Sequence, residues 1–273
     1  MKIREIFYLL GLRPRLRSYG SRVDRFELSR EGVVEFANWE HPRVVPKSVD
    51  QGDVDAIRSF LAPGDTAIDF GAHVGDTAVP MALAAGAEGC VFAFEPNLKA
   101  FEVLRRNAEL NPGKYRIVPF PFAAAEAPGR LVFKYSDSGL GNGGELRGVS
   151  RWRHGHAFEV NVEAVEAETL LRRDYPRELR RLRFVKTDCE GADLSVLCSI
   201  AGLLREYSPR IRCEVYRHMG TAQRQELFEF LAGLGYRIHE YGGSAGFCGR
   251  PLGIDEVDHR AHYDIFAIPG GET

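Results

Sequence analysis

The segment Asp69-Phe70-Gly71-Ala72-His73-Val74-Gly75-Asp76-Thr77 joins a short apolar run to a stretch of small residues with helical character. Glycines at Gly71 and Gly75 let a backbone turn tightly and approach a ligand, and the amides that open a helix point at a carboxylate or phosphate. About twenty residues on, Glu95 closes a second apolar run, where an acid can accept hydrogen bonds from both hydroxyls of a ribose. Loop and acid together describe a site for an adenosine-bearing cofactor. The plain alternative, glycines that merely close a strand-to-helix corner, does not account for the acid. The spacing also differs from the G-x-G-x-x-G that cradles a pyrophosphate. That string does occur, at Gly139-Leu140-Gly141-Asn142-Gly143-Gly144, but no helix follows it, so it reads as flexible loop and counts against a nicotinamide enzyme.

A second constellation is Lys186-Thr187-Asp188-Cys189-Glu190-Gly191, an apolar run that enters an acidic turn. At the carboxyl edge of a sheet such a turn is placed to meet a reacting group, and Glu214, His218 and His73 can converge on the same place. The bland reading for each acid is a helix cap or a surface ion pair, and for His218 a solvated side chain. Arg172 to Arg183 is rich in arginine, but Asp174 and Glu178 interrupt it and no aromatic platform accompanies it, so it reads as a solvated helix face.

Elements that could position these groups alternate along the chain. Arg22 to Val45 reads as a hairpin around Glu31-Gly32, and Asp53 to Leu61 as a helix with Val54, Ile57, Phe60 and Leu61 on one face. Strands are expected at Thr66 to Phe70, Cys90 to Phe94, Arg116 to Phe122, Arg130 to Tyr135, Phe184 to Thr187 and Arg210 to Tyr216. Helices are expected at Thr77 to Ala85, after a cap at Asn97, at Leu194 to Leu204 and at Gln223 to Leu234. Tyr236 to Tyr241 and Tyr263 to Ile268 look like a closing antiparallel pair. This order predicts a Rossmann-like α/β fold, a mostly parallel doubly wound sheet with an antiparallel C-terminal edge under an N-terminal helix and hairpin cap. Residues 1–52 form the expected cap and 53–273 the main domain, with a substrate loop at about 136–160.

Composition narrows the class. A chain of 273 residues with 44% hydrophobic content supports one α/β domain with an appendage. Lys and Arg number 36 against 38 Asp and Glu, a net charge of −2, so no field favours nucleic acid as partner. Cys90, Cys189, Cys198, Cys213 and Cys248 form no CxxC pair, as expected of reduced thiols in the cytoplasm. No apolar run approaches the roughly 18 residues of a membrane span. The cluster Ile3, Ile6, Phe7, Leu9, Leu10 and Leu12, flanked by Lys2, Arg4, Arg13, Arg15 and Arg17, reads as an amphipathic helix docking on its own domain or a partner. Contact with a membrane surface is the alternative, and a signal peptide is disfavoured because no small-residue cleavage site appears. An oligomer is compatible with the sequence.

Asp69 to Gly75, Phe94-Glu95-Pro96-Asn97 with Phe101, Leu104 and Asn107, Lys186 to Gly191, and Glu214, taken in this order, resemble the FkbM-type methyltransferases over roughly Asp53 to Tyr241. The resemblance implies the class I methyltransferase fold, S-adenosylmethionine as cofactor, and O-methylation of a hydroxyl on a sugar or glycan, glycolipid or polyketide-type small molecule. It implies that Asp69, Gly71, Ala72, His73 and Gly75, with Thr77 completing the motif, hold the methionine part. Glu95 would then hold the ribose, and Pro96, Asn97 and Ala123 would lie by the adenine. Asp188 and Glu190 match the family's acidic turn beside the methyl group. Departures from the pattern are Leu171 where an aspartate commonly follows Thr-Leu, Leu98 for a proline, and Asp193 for a glutamate.

Methyl transfer is an in-line displacement at a sulfonium carbon, and a hydroxyl nucleophile must also lose its proton. Asp188 or Glu190 is the expected general base. The alternative is that Asp188, Glu190 and Glu214, with His218, hold a divalent ion such as Mg2+ that acidifies the hydroxyl. Rival readings are an N-methyltransferase of the same fold, a non-catalytic cofactor-binding protein and an NAD-type oxidoreductase.

Overall fold

The computed structural model describes residues 16–135, 143–144, 158–243 and 246–271. The expected N-terminal helix and most of the expected substrate loop lie outside these residues.

Strands β1 (Ser21–Leu28) and β2 (Gly32–Trp39) form an antiparallel hairpin about Gly32, where φ is +65°. Asp50 caps α1 (Gln51–Arg58) by accepting from the Asp53 amide at 3.0 Å. The core then alternates β3 (Thr66–Phe70), α2 (Ala78–Ala85), β4 (Cys90–Phe94), α3 (Leu98–Glu109) and β5 (Ile117–Phe120). Strand β5 is the sheet's edge, which is why Pro119 is tolerated there. Every residue of β3, β4 and α2 is buried, as the near-continuous apolar runs require of a sheet covered on both faces.

Beyond β5 the chain leaves the main sheet. Strands β6 (Ala123–Ala124), β7 (Gly129–Tyr135), β8 (Gly143–Gly144) and β9 (Phe158–Val165) form a separate sheet in the order β6-β9-β7-β8. The glycine string at 139–144 is described only at Gly143–Gly144, which pair with β7. Helices α4 (Ala167–Asp174) and α5 (Pro176–Leu179) return the chain to β10 (Leu182–Thr187). The arginines there are tied into a charged surface, with Arg172 on Glu168 and Glu206 and Arg116 on Glu178. The single helix expected at Leu194 to Leu204 is two, α6 (Asp193–Ser199) and α7 (Ala201–Tyr207), broken at Ile200, whose φ and ψ are −121° and 18°. Strand β11 (Arg210–Val215), α8 (Thr221–Gly233), β12 (Tyr236–Tyr241), β13 (Cys248–Pro251) and β14 (Tyr263–Pro269) complete the fold.

The main sheet runs β13-β12-β14-β11-β10-β3-β4-β5. Strands β11, β10, β3, β4 and β5 are parallel, and β14 inserts antiparallel between β11 and β12. The chain winds outward from β3 through β4 to β5 and then resumes at β10 on the other side of β3, so the carboxyl ends of β3 and β10 flank the topological switch point.

Alternation sorts the core into two layers. Ile68, Phe70, Phe92 and Phe94 face the layer containing α4 and α6 to α8, while Ala67, Val91 and Ala93 face α1 to α3 and the hairpin. Small residues on the second face let α2 lie close to the sheet. Asn107 on α3 and Asn111 just beyond its end bind the hairpin as a neighbouring strand would. The Asn107 side chain accepts from the Ala37 amide at 2.6 Å and donates to the Ala37 and Val74 carbonyls, and Asn111 does the same with both backbone groups of Glu35. Asn107 thereby joins hairpin, helix and glycine loop at one buried point.

Candidate active site

The glycine loop is tight, and the chain around it requires its glycines. Gly71 and Gly75 have φ of +74° and +94°. A Cβ on Gly71 would collide with the backbone carbonyl of Asp188, and one on Gly75 would come within 3.0 Å of Leu104 Cδ1. At both positions the space a side chain would take is filled by the chain itself. The loop amides are likewise engaged. Gly71 and Ala72 both donate to the Phe94 carbonyl at 3.0 Å, Gly75 donates to the Ala72 carbonyl at 2.7 Å, and His73 donates to Glu95 Oε2 at 2.8 Å. His73, with φ of +48°, presents its ring toward Trp39. Burial holds the His73 imidazole below its ordinary pKa, so it is a neutral ring.

Glu95 ends β4 with both oxygens on backbone amides, His73 at 2.8 Å and Asn97 at 2.7 Å. Asn97 caps α3 by accepting from the Lys99 amide, with Pro96 half-buried between them. Burial raises the Glu95 carboxyl from 4.5 to about 7, since neither bond brings a cation. Each oxygen can accept one more hydrogen bond, which two vicinal hydroxyls would supply, so the residues present fit a ribose. Sequence reasoning missed a neighbour here: buried Tyr135 at the end of β7 has its phenol pKa raised by burial and by Glu95's charge. Ala123, buried in β6, is registered with Ala164 of β9.

A pH dependence follows. The folded pKa of Glu95 stands above the unfolded one, so this group's contribution to stability is present at low pH and declines as pH rises from 4.5 to about 7. Hydroxyls donating to the carboxylate favour the anion, so S-adenosylhomocysteine should bind best above pH 7 and weaken by about tenfold per pH unit below it. Calorimetric titrations from pH 5 to 8 that give a flat dissociation constant would remove Glu95 from the ligand site.

Across the switch point, Asp69 and Lys186 are register partners on β3 and β10. Lys186 Nζ lies 3.2 Å from Asp69 Oδ1 and 3.6 Å from Asp188 Oδ2, and donates to the Gly71 carbonyl at 3.1 Å. Thr77 Oγ1 donates to the other Asp69 oxygen at 2.6 Å. Asp69 is wholly buried, and it and Asp188 raise the Lys186 pKa against the opposing effect of burial, so the ammonium stays charged. Asp69 thus acts from beneath the site, fixing Thr77 and Lys186.

The acidic turn is gripped by two further acids. Asp193 accepts from the amides of Cys189 at 3.1 Å and Gly191 at 3.2 Å, and Glu214 accepts from the Glu190 amide at 3.1 Å. Burial lifts Asp193 to about 7 and, with Asp188 and Asp193 nearby, Glu214 to about 9. Glu190 is held at φ +54°, a conformation that a non-glycine residue adopts at a cost and that clusters at functional sites. Asp188 is exposed and Glu190 half-buried. In sequence Asp193 stood out only as a departure from a family pattern, though its place two residues past Gly191 is where an acid can cap such a turn.

The structure draws Asp188, Glu190 and Glu214 into one neighbourhood but not around a common point. Asp188 turns to Lys186, and Glu214 has one oxygen on the Glu190 amide and the other toward His262 Nδ1 at 3.7 Å. Among the described residues no group of three or more His, Cys, Asp or Glu side chains is arranged to hold a metal ion, so the expected divalent site is not formed by these residues. His218 lies exposed with its ring edge on Tyr216, and the imidazole beside Glu214 is His262, which sequence reasoning did not single out.

Next to Lys186 a cleft of about 170 Å³ opens under α1 and α2, lined by Asp76, Thr77, Arg212, Tyr241 and Phe247 among others. Its cations are balanced: Arg212 pairs with Asp264 at 2.6 Å and lies over the Tyr241 ring at 4.2 Å.

Parallel strands wound about the β3/β10 switch point, with a glycine loop, a strand-ending acid and antiparallel β14, define a class I S-adenosylmethionine-dependent methyltransferase fold. The family model for the methyltransferase FkbM domain matches residues 69–238, and the chain belongs to that family. Among solved structures, the chain is similar to a methyltransferase FkbM from Methylobacillus flagellatus, with 14% identity, a TM-score of 0.46 and coverage of 80% of this chain and 51% of that one. It is similar also to a putative rRNA-methylase from Clostridium thermocellum, with 15% identity, a TM-score of 0.44 and coverage of 84% and 99%. A third is a putative methyltransferase from Streptococcus mutans in complex with S-adenosylhomocysteine, with 11% identity, a TM-score of 0.42 and coverage of 79% and 94%. No curated protein matches the chain. Among the described residues no helix is long and apolar enough to cross a membrane.

Proposed function

We propose that the chain transfers a methyl group from S-adenosylmethionine to a hydroxyl oxygen of a sugar, glycolipid or polyketide-type small molecule. The observation that carries this reading is the pair of strand ends at β4 and β10, either side of β3. Glu95, a buried carboxyl whose two oxygens each accept a backbone amide and can take a further donor, closes β4, and an acidic turn follows β10. Glu95 would hold the ribose, and Asn97 and Ala123 would border the adenine. The loop from Gly71 to Gly75 would frame the methionine part, which Thr77 and Lys186, fixed by Asp69, would reach from the cleft. Bound there, the cofactor supplies an electrophilic methyl whose positive charge vanishes as the nucleophile arrives.

The acceptor would lie against the acidic turn that follows β10. An alcohol is a poor nucleophile until its proton is removed, so acids at the acceptor's side favour oxygen over nitrogen. We assign the base to Asp188 or Glu190. Glu214, raised to about 9, holds its proton at neutral pH and serves instead as a support of the turn.

One experiment tests both halves. Asp188→Asn and Glu190→Gln, each made singly, should keep the rise in melting temperature that S-adenosylhomocysteine gives the parent chain, since a ligand binding only the folded state stabilises it. At least one should lose about a hundredfold or more in labelled-methyl transfer to fractionated glycan, lipid and secondary-metabolite pools. Stabilisation by NAD but not by S-adenosylhomocysteine defeats the cofactor assignment, and label recovered only on amines defeats the choice of oxygen.

A further inference from the structure

Arg224, on α8, is a buried arginine, 3% exposed, and no step assigned above uses it. Its guanidinium donates to the carbonyls of Ala261 at 2.6 Å, Arg260 at 2.7 Å, Val257 at 3.0 Å, Met219 at 3.3 Å and Tyr216 at 3.4 Å. These carbonyls belong to two segments far apart in sequence. Residues 216–219 follow β11, and residues 257–261 lead into β14. Asp258 adds an ion pair at 3.4 Å and accepts from Thr221 Oγ1 at 2.6 Å, while the Tyr263 hydroxyl donates to the Val257 carbonyl at 2.6 Å.

One clamped segment packs on the acidic turn, and the other leads to the acid that supports it. Tyr216 packs against Gly191, where a Cβ would meet the ring at 3.2 Å, and its phenol pKa is raised by burial and by Glu190. His262, immediately after the clamped Ala261, faces Glu214 at 3.7 Å and sets its ring edge-on to Tyr216 at 6.2 Å. His262 is partly open, with 44% of its side chain exposed, so it can meet a ligand. A planar fork with five donors satisfies this many carbonyls, which an ammonium on a flexible stem cannot.

Resting on the methyltransferase reading above, we propose that Arg224 is a positioning residue that fixes Tyr216 and His262 as one wall of the acceptor site beside the acidic turn. It sets where the acceptor lies against the acidic turn and leaves the cofactor's cradle on β3 and β4 untouched.

The test uses Arg224→Lys, with Arg224→Gln as a second variant, on the full chain. His262 ring resonances, identified by their loss in His262→Gln, should move in the parent chain when Tyr216 is replaced by Leu, because the ring current disappears. In the Arg224→Lys background the same replacement should leave them in place. Labelled-methyl transfer should fall by about tenfold to a hundredfold, the loss that a misplacement of about 1 Å brings. The S-adenosylhomocysteine dissociation constant should stay within about twofold of the parent's. His262 that still responds to Tyr216→Leu without Arg224 overturns the proposal, as does cofactor affinity that falls in step with transfer. A parent chain that labels no pool defeats the methyltransferase reading, and the ring coupling then decides the clamp alone. Should Arg224→Lys fail to fold, the same readings on Arg224→Gln decide it, and failure of both to fold makes the residue structural and overturns the proposal.

Discussion

Lys186→Met is expected to cost about 3–5 kcal/mol of stability at neutral pH, the penalty for removing one partner of a buried ion pair. Lys186 is 3% exposed and Asp69 is wholly buried, so no water takes the ammonium's place. The loss should depend on pH with a definite sign. Burial already raises the Asp69 pKa, and without its cation the carboxyl moves further up. A buried acid whose folded pKa lies above its unfolded value contributes stability at low pH and loses it as pH rises. The variant should therefore be closest to the parent near pH 5 and furthest from it at pH 8, in denaturant melts followed at both. Equal losses at the two pH values would mean that the damage comes from lost packing of the lysine stem and not from an orphaned charge.

The same substitution bears on function through geometry. Lys186 ties the Gly71 carbonyl, Asp69 and Asp188 together, so it is the cross-brace between glycine loop and acidic turn. Methyl transfer rewards alignment more than any single contact, and such a brace keeps the two strand ends in a fixed relation. Arg224 does the corresponding work on the far side of the turn, joining two loops rather than two strands.

How much of this the sequence discloses depends on the range of the interactions involved. The parallel core was readable because Thr66 to Phe70 and Cys90 to Phe94 are unbroken buried runs, each followed by a helix pattern, which a sheet covered on both faces demands. The acids were readable for the same reason: Glu95 and Asp188 end such runs, and strand ends in this architecture face the site. The second sheet was not, although β9 alternates cleanly, because β6 has two residues and the pairing of β9 with β7 spans a loop that carries no periodic signal. Nor was the role of Lys186 beyond its membership of a motif, since a register between β3 and β10 decides it and sequence spacing does not encode register. His262 was overlooked in favour of His218, which stands closer to Glu214 along the chain. Strand β14 inserts beside β11 and pairs Asp264 with Glu214, and that long-range pairing brings His262 to the acid.

The glycine loop gives the sharpest discrimination between a demand of the backbone and a demand of a neighbour. Gly71, Gly75 and Gly113 all have positive φ, at +74°, +94° and +80°. An alanine at any of them pays about 1–2 kcal/mol for the left-handed conformation. At Gly113 nothing lies within 4 Å of the added carbon, so that cost should be the whole of it. At Gly75 the neighbour is the tip of Leu104, which can turn aside, and the loss should rise only modestly. At Gly71 the neighbour is the Asp188 carbonyl, backbone that is itself fixed by the Asp188 amide donating to the Phe70 carbonyl at 3.1 Å and by Lys186 on the Asp188 side chain. Overpacking against an element that cannot yield adds about 1–3 kcal/mol. The melting order should therefore be Gly113→Ala above Gly75→Ala above Gly71→Ala, and Gly71→Ala alone should lose methyl transfer even where it remains folded, because relieving the clash moves the acidic turn. An equal loss at Gly71 and Gly113 would show that the two strand ends are not in contact, and the site built on their closeness would have to be redrawn.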